Sequence, residues 1–202
     1  MNYAIEFHDA NYPFLNVAAR KKALKHSLLS VVEGLAIIKL GKHEYAIEPG
    51  QHFWIPQGCL SSLTFLPNTR VTRCDFSVRL ADAFAQQAGY VKPSALLSAL
   101  IEKLVMTKAR SRHQLDLLAV VKHEVLTLKP MLTSSALTDS INKWKPGCDS
   151  QVSIELCLVL TLREARKMKL SGKKQSDIVA KLFNNNEEEY EQLCFLVFGE
   201  AL

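Results

Sequence analysis

The sequence is poor in the features that mark several large classes of protein. Glycine and proline supply only 8 and 7 of its 202 residues, while 48% of the residues are hydrophobic, which excludes a disordered, collagen-like or low-complexity chain. Its five cysteines form no Cys-x-x-Cys pair, so we expect them to be small apolar residues of a reducing compartment. The longest apolar run, residues 156–162, is far shorter than the ~20 residues of a membrane helix, and residues 1–10 lack a secretion signal. We therefore expect a cytoplasmic protein that does not cross a membrane.

Motifs of catalysis and of metal binding are equally scarce. The sequence has no glycine-rich phosphate loop. His43 and His52 stand alone on separate predicted strands, and Ser61 does not complete a set of three converging ligands. Cys59 has a histidine nearby in sequence but no third group that would orient a base. We therefore expect no enzyme activity, no metal and no cofactor.

The first half of the chain has the pattern of a β-structure. Short runs rich in β-branched and aromatic residues recur every 8–12 residues or so between residues 27 and 78, separated by Gly- and Pro-containing turns. This spacing predicts an antiparallel sandwich or barrel. The predicted strands cover residues 27–32, 35–40, 43–47, 52–55, 60–65 and 71–78.

The second half has a helical period. Apolar residues spaced for helices begin at residue 96, and Pro130, Pro146-Gly147 and Ser171-Gly172 interrupt them. The stripe on the first of these helices has two interpretations, core packing under the β-structure or a dimerisation face. We expect a homodimer, and the dimer candidates are Leu97, Leu100, Ile101 and Leu104.

The interior of the β-structure is the predicted place for a ligand. Alternate residues of a strand face opposite sides of a sheet, so the bulkier apolar residues of two predicted strands face inward. Such side chains either fill a small barrel as a plain core or leave room for a small, mostly apolar effector held by polar groups at a rim. The candidate pocket residues are Ile38, Leu40, Phe53 and Ile55, with His43 and Tyr45 at the rim.

Charge is unevenly distributed in a chain of net charge +5. Residues 163–174 carry six basic groups against Glu164 alone, and residues 183–202 carry five glutamates with no lysine or arginine. The basic group is either a solvated helix surface or a set of contacts to DNA phosphates. The DNA-contact candidates are Arg163, Arg166, Lys167, Lys169, Lys173 and Lys174.

Two segments resemble the AraC/XylS family of transcription regulators. Residues 32–34, 41–45, 47–51 and 55–58 are similar to the run of glycines and Pro-Gly turns that crosses the strands of that family's cupin-like sensor domain. Residues 162–199 are similar to its second helix-turn-helix, through the Arg163-Glu164-Ala165 helix, Ser171-Gly172-Lys173, and the spacing to Tyr190 and Gly199. The resemblance implies a cupin-like sensor followed by a DNA-binding region.

The second segment also departs from the family pattern. The family's first helix-turn-helix has no convincing counterpart, and Leu182 stands where the family has a glycine before an aromatic residue. Glu187-Glu188-Glu189 stands where the recognition helix should begin, and carboxylates there would be repelled by DNA phosphates. The pattern therefore implies weakened binding to duplex DNA.

These observations predict an α+β protein. We expect a cupin-like or jelly-roll-like antiparallel β-barrel in residues 1–92, linker and dimerisation helices in 93–130, and a reduced AraC-type helix-turn-helix region in 131–202. The expected function is transcription regulation with weak duplex DNA binding. The alternative is an interaction protein that does not bind DNA and modulates a partner.

Overall fold

The computed structural model describes residues 4–147 and 152–200, so that Cys148 lies outside the described residues. The chain is a mixed α+β protein in which antiparallel strands precede helices, as predicted. The strands are β1 (Ile5–Tyr12), β2 (Asn16–Val17), β3 (Lys21–Lys22), β4 (His26–Glu33), β5 (Ala36–Leu40), β6 (His43–Ile47), β7 (His52–Ile55), β8 (Leu60–Phe65), β9 (Thr69–Phe76) and β10 (Gly89–Val91). The helices are α1 (Ala95–Val105), α2 (Arg112–Val125), α3 (Ala136–Lys143), α4 (Ile154–Leu170), α5 (Gln175–Leu182) and α6 (Glu187–Phe198).

The strands form two sheets rather than the closed barrel that the sequence predicted. The first sheet has the order β1-β9-β4-β7-β10, and the second has the order β2-β8-β5-β6 with β3 also paired to β8. Across residues 4–147 no ladder joins one sheet to the other, so each sheet keeps two edges. The edge at β6 is covered by α3, because Thr138 Oγ1 accepts the Ala46 amide and Asn142 bonds both backbone groups of Glu44. Covering an edge with a helix removes the need to close the sheet.

Alternation along the strands creates three apolar clusters in layers. The inward faces of both sheets share one cluster, which includes Leu29, Phe53 and Phe65. The outer face of the first sheet packs on α1 and α2, with Trp54 at the contact. The outer face of the second sheet packs on α3 to α6 through Ile37. The helical C-terminal region is therefore joined to the second sheet by a continuous core.

Local sequence explains most of the element ends. A serine precedes each of the first four helices, and its hydroxyl accepts the amide three residues on, as an N-cap should. Gly34, between β4 and β5, has a φ of +77°, and a Cβ there would lie 2.6 Å from the Thr69 hydroxyl. Only glycine fits that turn without strain. Among residues 4–147 and 152–200, no helix combines the length and the apolar character that crossing a membrane requires.

Candidate functional site

The predicted interior residues lie in the layer between the sheets. Phe53 and Ile38 are completely buried there, Ile55 is nearly so, and Leu40 and Tyr45 are partly buried against the same cluster. His43 is exposed at the start of β6 and is no part of an enclosed rim. The centre of the sandwich is therefore filled by side chains, and of these six residues only Ile55 also lines a cavity in the sandwich.

That cavity lies at one end of the sandwich and has a volume of about 480 Å³. Its apolar walls include Ile55, Leu63, Phe65 and the ring of Tyr12. Polar and charged side chains make up much of the remaining lining, and many of them come from β1, β9 and the segment that carries β2 and β3. The sequence pattern did not indicate this cavity, because strands β1, β2 and β3 were not predicted from it.

Most of the charged side chains at the cavity form ion pairs, and two do not. Lys25 Nζ donates to Glu6 Oε2 at 2.6 Å, and this hydrogen bond lowers the pKa of the Glu6 carboxyl below its ordinary value. Asp75 is buried, accepts from the Ser27 hydroxyl at 2.6 Å, and pairs with Arg73 at 2.9 Å. Two further cations of the lining, Lys21 and Lys22, have no ion pair with any described residue.

The same cluster holds one set of groups with metal-binding chemistry. Ligand atoms of Glu6, His8 and Asp75 all lie within 4.8 Å of one another. The carboxylate oxygens nearest to His8 are, however, already in ion pairs: Glu6 Oε2 pairs with Lys25, and Asp75 Oδ2 pairs with Arg73. A divalent cation would have to displace or sit beside two positive side chains, so an ion-pair network fits this chemistry better than a metal site.

The last two helices are joined by a short turn. In this turn between α5 and α6, Asn184 and Asn185 adopt left-handed φ angles of 50° and 65°. Asparagine tolerates this conformation better than most residues, so the turn forms without a glycine. Asn186 then caps α6 by accepting the Glu189 amide. The buried residues that hold the two helices on α4 are Ile178, Val179, Phe183, Tyr190, Cys194 and Val197.

Helix α6 both packs inward and presents an outer face. Tyr190, Cys194 and Val197 are buried on one side. Phe195 is exposed on the opposite side, and the three glutamates of the first turn, Glu187, Glu188 and Glu189, are exposed as well. The position at which a recognition helix would meet DNA is therefore acidic.

Three of the six predicted DNA-contact residues have partners within the chain. Arg163 pairs with Glu44 of β6 at 2.8 Å, the Arg166 guanidinium lies 5.5 Å from the centre of the Phe198 ring, and Lys167 pairs with Glu164. The other three are exposed, and no ion pair to them occurs within residues 4–147 and 152–200. These are Lys169, Lys173 and Lys174.

The predicted dimer stripe is buried within a single chain. Leu97, Leu100, Ile101 and Leu104 are at most 8% exposed, because α1 packs on α2 and on the outer face of the first sheet. This corresponds to the first of the two interpretations, core packing. The homodimer stays a prediction, and this face of α1 is not available for it.

Two contacts hold the end of α6 to the segment before β2, and the sequence pattern predicted neither. The Leu15 amide donates to the Val197 carbonyl at 2.7 Å, at the last turn of α6. The neighbouring Phe14 ring lies against Gly199, where an added Cβ would come within 2.6 Å of it. The segment just before β2 therefore holds the end of α6.

Comparison with known proteins gives similarity in structure alone. No protein-family model matches the sequence, and no curated protein matches it. Two crystal structures of ToxT, an AraC-family regulator from Vibrio cholerae, are similar over almost the whole chain. The apo form has 10% identity and a TM-score of 0.46, covering 99% of this chain and 96% of that one. The second has 11% identity and a TM-score of 0.40, covering 98% and 96%. A cupin superfamily protein from Desulfitobacterium hafniense, at 8% identity and a TM-score of 0.36, covers 38% of this chain and 71% of its own.

Proposed function

We propose that the chain is a transcription regulator of AraC type with a cupin-like sensor and a helix-turn-helix that binds duplex DNA weakly. The observation that carries this proposal is the helix-turn-helix of α5 and α6, which is packed on α4 and fastened to the second sheet. Through this shared core, a ligand bound at the sheets would act on helices that contact DNA.

Electrostatics set the strength of the proposed DNA contact. Lys169, Lys173 and Lys174 are free to neutralise phosphates, whereas Arg163 is held by Glu44. The acidic first turn of α6 opposes binding in the groove. A protein with few phosphate contacts and an acidic recognition face is expected to bind duplex DNA non-specifically, with a dissociation constant of about 10⁻⁴–10⁻⁶ M.

The cavity of the sandwich is the proposed effector site. Its aliphatic and aromatic walls suit a small, mostly apolar molecule, and its paired charges offer hydrogen bonds at the mouth. Of the predicted pocket residues, Ile55 lines this cavity, and Phe53 is buried in the cluster between the sheets.

A binding role fits the chain better than a catalytic one. His52 Nδ1 lies 2.6 Å from the hydroxyl of Ser30, the geometry of a nucleophile beside a base. Ser30 is buried, however, and among the described residues no carboxylate is hydrogen-bonded to His52 to orient it. We therefore propose no enzyme activity.

Fluorescence anisotropy with a labelled duplex tests the DNA-binding proposal. We expect weak binding that falls steeply with salt and is lowered further in Lys173→Ala/Lys174→Ala. Lys167→Ala, which removes a cation already paired with Glu164, is the matched control and should change the affinity less. Glu188→Lys should strengthen binding because it removes a carboxylate from the start of α6 and adds a cation. Tight, sequence-selective binding that survives about 200 mM salt would refute the proposal of weak DNA binding and favour a regulator with full DNA-binding activity.

A second candidate function is an interaction protein that does not bind DNA. The observation that favours it is the exposed face of α6, where Phe195 and Leu196 are 58% and 68% exposed beside the glutamates. A DNA-recognition helix needs basic side chains and hydrogen-bond donors on this face, whereas a contact with another protein uses apolar side chains. Absence of salt-dependent duplex binding, with Lys173→Ala/Lys174→Ala equal to the parent, would favour this function over the first.

A further inference from the structure

The C-terminal region has a groove that the DNA-binding proposal does not use. It lies between the N-terminal half of α4 and the α5–α6 turn and has a volume of about 420 Å³. Most of its lining side chains are apolar, and Ile154, at the first turn of α4, is 89% exposed. Leaving an isoleucine in water forgoes the free energy that burial of its side chain would give, so a partner that covers it gains that energy. The apolar lining consists of Val152, Ile154, Leu158, Leu182, Phe183 and Leu193.

The helix segments that line this groove carry acidic but no basic side chains. Residues 152–162 and 182–200 carry glutamates and no lysine or arginine. Glu189 lines the groove itself, and Glu155 is exposed on the same half of α4. Lys181, next to Leu182, and Lys145, next to Trp144, are exposed outside the lining. The lining itself is therefore mostly apolar, and its one charged side chain is acidic.

From these features we infer that the groove binds an amphipathic helix of a partner protein, with an apolar stripe flanked by lysine or arginine. A helix laid between two helices presents apolar side chains at i, i+3, i+4 and i+7, and opposite charges at the rim fix its register. A second copy of the chain that presented the same groove about a twofold axis would place glutamates against glutamates, so symmetric self-association is disfavoured. The inference deepens the second proposed function, because it names the surface and the chemistry of its partner.

Trp144 provides a local signal for occupancy. Its indole N–H donates to the Cys157 sulfur at 3.5 Å, and Cys157 lines the groove. The chain's other tryptophan, Trp54, is completely buried on the first sheet. A change in emission on binding at the groove should therefore come from Trp144, and it should be lost in Trp144→Phe.

Synthetic peptides and the full chain test the inference in the absence of DNA. The probe is a fluorescein-labelled helix of about 18 residues made of leucine and lysine at helical spacing, and its control has glutamate for every lysine. We expect saturable one-to-one binding of the lysine peptide with a change in Trp144 emission, and no binding of the glutamate peptide. Ile154→Ser should weaken binding about tenfold or more, since it removes one buried aliphatic contact. Leu170→Ser, at the other end of α4, is the matched control, because Leu170 is 79% exposed and lies outside the groove.

Three results would overturn the inference. They are equal binding of both peptides, equal losses in Ile154→Ser and Leu170→Ser, and binding without a response from Trp144. Sedimentation of the chain alone gives a fourth, since self-association that Ile154→Ser abolishes would make a second copy the occupant. None of these results changes the duplex titration, so failure here is distinguishable from failure of the proposed DNA binding.

Discussion

The guanidinium Nη2 of Arg163 lies 2.8 Å from the carboxylate Oε2 of Glu44, and the two side chains are only 20% and 14% exposed. The pair joins α4 to strand β6 across 119 residues of sequence. On the same strand, Thr138 and Asn142 of α3 bond the backbone of Ala46 and Glu44. A residue that the family resemblance assigns to DNA contact thus fastens the helical region to the second sheet.

Arg163→Ala should lower the free energy of unfolding by about 1–2 kcal/mol, because it removes a charged hydrogen bond that is largely shielded from water. Urea denaturation followed by circular dichroism measures this. Lys167→Ala is the control, since Lys167 is 76% exposed and its ion pair with Glu164 lies within one helix. It should change stability by no more than about 0.5 kcal/mol. Equal effects of the two substitutions would show that the Glu44 contact contributes nothing to the fold.

Periodicity predicted the segments whose side chains have a uniform environment. Strands β4 to β9 alternate between a buried core and a covered outer face, and their predicted bounds agree closely with the observed ones. Strand β1 was not predicted, although its first four residues alternate between apolar and polar; its Glu6 and His8 face the charged cavity. Its apolar residues, Ile5 and Phe7, face the helices instead.

The candidate sites needed tertiary information that spacing does not contain. Helical spacing places Arg163, Arg166 and Lys167 on one helix face, yet each has a different partner, two of them far away in sequence. The stripe through Leu97 and Leu104 is compatible with a core or with a dimer, and only the position of α2 decides. The cavity could not be predicted from the sequence for a similar reason, because its walls come from strands of both sheets.

Phe53→Ala tests the packed centre of the sandwich. Phe53 is completely buried between the sheets, so the substitution removes buried area and leaves a cavity, at a cost of about 3–5 kcal/mol. Thermal and urea unfolding measure the loss. Phe195→Ala, on the exposed face of α6, should stay within about 0.5 kcal/mol of the parent. A Phe53 variant as stable as the parent would mean that the centre is not a close-packed core.

Stability should fall as the pH falls below about 6.5, because of two histidines held neutral in the fold. Burial lowers the pKa of His26 and of His52 from the ordinary value of 6.5. The unfolded chain therefore takes up protons at a higher pH than the folded chain, and the free energy of unfolding decreases as pH falls from that value toward the lowered ones. Well above pH 6.5 both histidines are neutral in the folded and in the unfolded chain, so their contribution to the free energy of unfolding is constant. His26 also accepts the Gln57 amide through Nδ1, a bond that protonation would break.

Urea midpoints at pH 5 and pH 7.5 measure this dependence. His26→Gln and His52→Gln should each flatten it, whereas His43→Gln, at an exposed site, is the control and should leave the slope as in the parent. A parent protein equally stable at both pH values, or a slope unchanged in both variants, would contradict the assignment.

Gly199→Ala tests the hold of the β2 segment on α6. Gly199 ends α6 with a φ of +75°, a conformation that costs alanine about 1–2 kcal/mol, and its new Cβ would lie 2.6 Å from the Phe14 ring. Gly172 is the matched control, because it follows α4 with a φ of +84° and has nothing within 4 Å of an added Cβ. Both variants bear the conformational cost, so any excess for Gly199→Ala in urea denaturation measures the displacement of Phe14. In a Phe14→Ala background that excess should disappear, whereas equal costs of the two glycine substitutions in the parent would mean that Phe14 does not restrain the end of α6.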